Sequence, residues 1–130
     1  MTTKIRYVPA IVVMIVIFIA SHLPGDQIHP PDFFDYDKFW HALEYAVLAV
    51  TILFARHPPA HDFLQHVFIF TFCVAYAITD EIHQYFIPLR SADVLDVCAD
   101  TLGALAAGSG WYLLNRRRKA NRELFQIQTD

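Results

Sequence analysis

Apolar and polar residues are sorted into long alternating blocks along this chain. Four apolar runs, at 7–23, 39–55, 63–79 and 94–114, are separated by shorter polar stretches. Their apolar residues cover most of a helical circumference instead of one stripe, which predicts helices surrounded by apolar material. Each of the first three runs has about 17 residues, about 25 Å of helix at 1.5 Å per residue. That is slightly short for a hydrocarbon core of about 30 Å, so the polar residues at the run ends are expected at or just inside a membrane interface. The breaks have local causes. Pro24-Gly25, Pro30-Pro31 and the acids Asp26, Asp32, Asp35 and Asp37 interrupt any helix between the first two runs, and Arg56-His57-Pro58-Pro59 ends the second. Phe33, Phe34 and Tyr36 are expected to seat the first loop at the interface, with His22 and His29 as solvated loop histidines. Lys4 and Arg6 ahead of the first run have the outline of a signal peptide, but Phe18 stands three before a cut after Ala20, where a small residue is wanted. An uncleaved first helix is therefore expected.

Composition turns this pattern into a fold class. The chain is 55% hydrophobic and 18% charged, against roughly 45–50% and about 25% in soluble domains. Because the excess sits in the four runs, the expectation is an all-α membrane protein with four transmembrane helices. A soluble four-helix bundle would need polar outer faces. One domain is predicted over 1–115, followed by a basic, then polar, cytoplasmic tail over 116–130 that is helical at first and frayed beyond. Cys73 and Cys98 lie within apolar runs and are read as small packing residues, with no metal-ligand spacing between them.

Charge sets the orientation. Of ten basic residues, eight (Lys4, Arg6, Arg56, Arg116, Arg117, Arg118, Lys119 and Arg122) fall on one side of a four-span path. Lys38 and Arg90 fall on the other. The positive-inside rule then puts the N- and C-termini in the cytoplasm and the loops at 21–37 and 80–93 outside, in a multi-pass protein of the plasma or inner membrane. The basic residues form no groove-sized face, which excludes nucleic acid as a partner. The lipid bilayer is the predicted partner.

That parity gathers the chain's ionisable residues on one outer face. Asp37, His41 and Tyr45 share a stripe of the second helix at four-residue spacing, beside Lys38; Glu44 is read as a bridge between helices. Asp80 and Gln84 stack at the end of the third helix, Glu81 meets Gln84 at three-residue spacing, and His83 lies on another flank. Asp96 and Asp100 open the fourth, where Ala99, Gly103 and Ala107 allow close helix contact. Asp100 is about two turns in, beyond the reach of the helix dipole. It needs a partner, and Lys38 and Arg90 are the cations available on that face.

The ordered set Asp37-Lys38-x-x-His41-x-x-x-Tyr45, Asp80-Glu81-x-His83-Gln84, Arg90 and Asp96-x-x-x-Asp100-x-x-Gly103 resembles the VanZ-like family of small integral membrane proteins. The resemblance runs from about residue 7 to 113 and includes Ser21-x-x-Pro24, although the family often has asparagine where this chain has Asp100. It implies a cell-envelope function, the namesake being linked to resistance to the glycopeptide teicoplanin, and it implies no particular reaction. Some relatives are labelled phosphotransbutyrylases, but this chain has no nucleotide or coenzyme fingerprint.

Three functions compete. In the first, Asp37, Lys38, His41, Tyr45, Asp80, Glu81, Gln84, Arg90, Asp96 and Asp100 bind or modify an envelope lipid, peptidoglycan precursor or glycopeptide-like ligand, with Arg90 and Lys38 meeting phosphate or carboxylate. In the second, the protein is a membrane-embedded enzyme. His41 is then the acid/base and Asp80 or Glu81 its partner, with a divalent metal as an optional aid. No G-x-S-x-G, H-E-x-x-H or CxxC motif supports that reading, and no cofactor is specified. In the third, the polar network only locks the helices, and the protein contacts a larger envelope complex.

Overall fold

The computed structural model describes residues 3–25, 36–59 and 62–129, and all regular structure among them is helical. A 3-10 turn, Thr3–Tyr7, leads into α1 (Val8–Ser21). Then follow α2 (Tyr36–Arg56), α3 (Phe63–Gln84) and α4 (Val94–Thr129). Pro9 sits in the first turn of α1, where its missing N–H costs nothing. α2 stops at His57, whose φ of 46° is left-handed and whose N–H reaches Leu53 O at 2.8 Å; Pro58-Pro59 forbids another turn. Asp62 caps α3 by accepting the Gln65 N–H at 3.1 Å. The proposed interfacial role of Phe33, Phe34 and Tyr36, and the solvated His29, lie outside the described residues and side chains.

α3 and α4 run several residues past the C-terminal ends of their apolar runs. α3 continues past Thr79 to Gln84, because Asp80, Glu81 and Gln84 extend the same buried stripe as Ile69, Cys73 and Ala77. α4 continues without a break through the basic cluster to Thr129, 36 residues in all, so the frayed tail expected from the sequence is helical instead. Beyond Gly110 it contains neither glycine nor proline, and its Arg, Lys, Ala and Glu residues are good helix formers.

Packing centres on α2, which touches the other three helices and lies most extensively against α4. Its buried face, Tyr45, Leu48, Ala49, Ile52 and Leu53, follows helical spacing and meets Ile17, Ile69, Cys73 and Ala104. At Gly103 the backbones of α4 and α2 are so close that an added Cβ would lie 1.9 Å from Ala42 O. Cys73 is a core residue as expected, whereas Cys98 faces outward.

The outer surface is apolar. Ile11, Ile15 and Ile19 of α1, Phe68 of α3 and Leu102 of α4 are each about half exposed or more. Polar side chains such as Asp80, Glu81, Asp96 and Asp100 are buried. That arrangement inverts the usual distribution of a water-soluble domain. By length and composition, two helices, over Asp37–Arg56 and Phe63–Gln84, can cross a membrane. The apolar helix Ile5–Ser21 is shorter, and Asp96, Asp100 and three glycines dilute α4. Two of the four predicted spans therefore meet that measure by themselves.

Candidate functional site

Because the four helices alternate in direction, the end of α1, the start of α2, the end of α3 and the start of α4 come together. Each contributes polar residues on the face that is apolar further along, and the resulting cluster has three parts with different degrees of satisfaction.

One part is a closed hydrogen-bond chain. Ser21 Oγ donates to Asp80 Oδ2 at 2.7 Å, and Gln84 Nε2 donates to the same oxygen at 3.2 Å. Arg90 Nη1 donates to Gln84 Oε1 at 3.2 Å. The remaining Arg90 contacts are main-chain carbonyls, with Nη2 to Ala20 O at 3.2 Å and Nε to Leu23 O at 3.3 Å. The guanidinium thus ties α3 to the end of α1, and two of its five N–H groups are not used in these bonds. The adjoining loops meet closely: a Cβ at Gly25 would lie 2.0 Å from Leu89 O, and Leu89 itself is left-handed at φ 60°.

The second part is an ion-pair group. Lys38 Nζ lies 2.7 Å from Asp93 Oδ2, bonds Asp96 Oδ1, and has Asp37 Oδ2 at 3.5 Å. The Lys38 ammonium, helped by the Leu95 N–H, holds the Asp93 carboxyl below the usual aspartate range.

The third part is unfinished. His41 Nδ1–H donates to Asp100 Oδ1 at 3.1 Å, while Nε2 stands 3.9 Å from Asp37 Oδ1 and 4.0 Å from Asp96 Oδ2. Glu81 Oε2 accepts the Asp93 N–H at 2.8 Å. Glu81 Oε1 and Asp100 Oδ2 are buried and have no hydrogen-bond partner among the described residues. A buried acceptor left in that state costs about 1–3 kcal/mol.

These contacts revise several expectations. Asp100 pairs with His41, not with Lys38 or Arg90. Asp80 belongs to Ser21 and Gln84, so neither it nor Glu81 is the hydrogen-bond partner of His41. Gln84 stacks on Asp80 as the spacing implied, but Glu81 turns to the Asp93 backbone. Tyr45 lies one turn below His41, wholly buried, with its hydroxyl unpartnered among the described residues and its ring 6.1 Å from that of Tyr76. Glu44, read as a bridge, is half-buried and makes no hydrogen bond or ion pair with a described residue. His22 is not simply solvated: its Nδ1 lies 3.3 Å from His83 Nε2, with the two rings stacked beside Phe18. Ser21, absent from the predicted contact set, is buried within the cluster. Its only sequence signal is its place in Ser21-x-x-Pro24.

A cavity of about 710 Å³ lies elsewhere, between Leu53, His66, Phe70, Ala104 and Tyr112, and is predominantly apolar. None of the polar cluster lines it.

The architecture is that of a small all-helical protein with an apolar exterior, a buried polar cluster at one end, and two helices able to cross a bilayer. Residues 7–115 match the VanZ/LLP1 family, and the chain belongs to it. No curated protein and no solved structure matches the chain.

Proposed function

We propose that this protein is a multi-pass component of the plasma or inner membrane, with both termini cytoplasmic, that binds an anionic envelope ligand at its outer face. The ligand class is a phosphate- or carboxylate-bearing envelope lipid, peptidoglycan precursor or glycopeptide-like molecule, consistent with a role in glycopeptide resistance of the teicoplanin type. Arg90 carries this reading. Its positive charge is held by one amide oxygen and two main-chain carbonyls, with no carboxylate within ion-pair distance among the described residues, and two N–H groups remain. A half-buried guanidinium arranged in this way suits bidentate recognition of an anion. Lys38, already engaged with Asp93 and Asp96, is the weaker candidate.

The enzymatic alternative now rests on the buried His41–Asp100 pair, since an imidazole held by a carboxylate can act as a general base. The structural alternative is supported by the closed Ser21–Asp80–Gln84–Arg90 chain.

The test is binding of a polyprenyl phosphate to protein in nanodiscs, compared with the corresponding polyprenol. The phosphate is expected to bind more tightly, and Arg90→Gln to weaken binding by at least about tenfold, the loss of one charge-assisted contact, measured per folded molecule because Arg90 also ties α3 to the end of α1. Equal binding of both lipids, or unchanged affinity in Arg90→Gln, would sink the proposal. Loss of teicoplanin tolerance in cells carrying Arg90→Gln would tie the site to resistance.

A further inference from the structure

We infer that His41, Glu81 and Asp100 form a binding site for one divalent transition-metal ion. The three residues come from α2, α3 and α4, all are buried, and each presents a donor atom within 4.8 Å of the other two. Their separation in sequence gives them no metal-ligand spacing of the H-x-x-x-H or C-x-x-C kind. His41 Nδ1 and Asp100 Oδ1 stand 3.1 Å apart. Two donors at about 2.0–2.2 Å from a shared ion, at right angles or tetrahedral, are about 2.8–3.6 Å apart, so one edge of the coordination shell needs little adjustment. The ion takes the place of the proton between them. Glu81 must move inward to complete the set, and its Oε1 has no hydrogen bond to a described residue that would resist this, while Oε2 stays on the Asp93 N–H.

The orphaned oxygens are a second, independent sign. Asp100 is 0% exposed and Glu81 4% exposed, yet each leaves a carboxylate oxygen unpartnered among the described residues. A cation bound between them supplies the missing partner to both. A neighbouring set, Asp37, His41 and Asp96, also has donors within reach of one another. It is the poorer site, because Lys38 Nζ already sits on Asp96 and the Asp37 side chain is 52% exposed.

One imidazole with two carboxylates points to zinc or manganese and away from calcium, which takes six to eight oxygen ligands. The inference does not depend on the anionic ligand proposed for Arg90.

The experiment uses full-length protein in nanodiscs, stripped with a chelator, re-equilibrated with Zn²⁺ or Mn²⁺, and assayed for metal per chain. Wild type is expected to retain about one ion per chain, more weakly at acid pH because protons compete for the ligands. Glu81→Gln and Asp100→Asn should each lower affinity by at least about tenfold, while Asp37→Asn and Arg90→Gln retain the ion. Metal should raise the unfolding temperature of wild type and leave that of Glu81→Gln unchanged. If Asp100→Asn fails to accumulate, Glu81→Gln alone decides. Folded wild type that retains no ion means the two oxygens are satisfied by protons or water, and overturns the site. So does retention by Glu81→Gln equal to wild type, or loss in Asp37→Asn with Glu81→Gln unaffected.

Discussion

At the residue scale, the cluster separates groups that hold one another from groups that wait for something else. Asp80 is of the first kind: its Oδ2 receives both Ser21 and Gln84 in a buried setting. Asp80→Ala strands those donors and is expected to cost about 1–3 kcal/mol. Asp37→Ala, at a half-exposed carboxylate with only long contacts, should stay within about 0.5 kcal/mol of wild type. Thermal unfolding in detergent compares them, and equal losses would contradict the division. Asp93 gives a prediction with a pH sign. Since Lys38 lowers its pKa in the folded protein, the stabilisation it provides is complete above about pH 4, the ordinary aspartate value. It is lost as pH falls through the lowered folded value. The difference in unfolding temperature between wild type and Asp93→Asn should therefore hold down to about pH 4 and close below it. A gap that opens towards acid pH would reverse the assignment.

At the element scale, the contact between α2 and α4 determines which side chains meet. Gly103 lies against the carbonyl of Ala42, next in sequence to His41, and one turn from Asp100. A methyl group at Gly103 meets backbone that cannot rotate away, so Gly103→Ala should destabilise by about 1–3 kcal/mol. Gly108→Ala, with open space around its Cβ position, should be neutral or gain up to about 1 kcal/mol from helix propensity. Unfolding measurements should place Gly103→Ala below wild type and Gly108→Ala at or above it. The same contact explains what the sequence made legible. Four apolar runs, proline breaks and the gathering of Asp37, His41, Asp80 and Asp96 at common helix ends follow from spacing and parity. The partner of Asp100 does not, because it depends on the rotation of α4 against α2, and nearest available charge pointed to lysine or arginine. Nor do the carbonyl partners of Arg90, since a main-chain acceptor leaves no mark on residue identity. The His22–His83 contact likewise required the ends of α1 and α3 to be side by side.

At the scale of the whole molecule, the proposed orientation rests on the apolar exterior and on the distribution of basic residues, and labelling tests it. Cysteine at the exposed Ser91 should react with an impermeant maleimide on intact cells, and cysteine at the exposed Ala120 only after permeabilisation. The reverse labelling would place the polar cluster on the cytoplasmic side and remove the outer-face proposal. The joining of residues 20–25 to residues 84–90, and of His41 to Asp100, also bears on biogenesis. A ribosome delivers Ser21 and His41 long before their partners, and Asp100 last. Until then Asp80 and His41 lack the contacts that bury them in the folded protein. A chain with one helix inserted the wrong way round would keep those groups bare. On the proposed topology, the cluster is therefore complete only when the start of α4 has joined the other three helices.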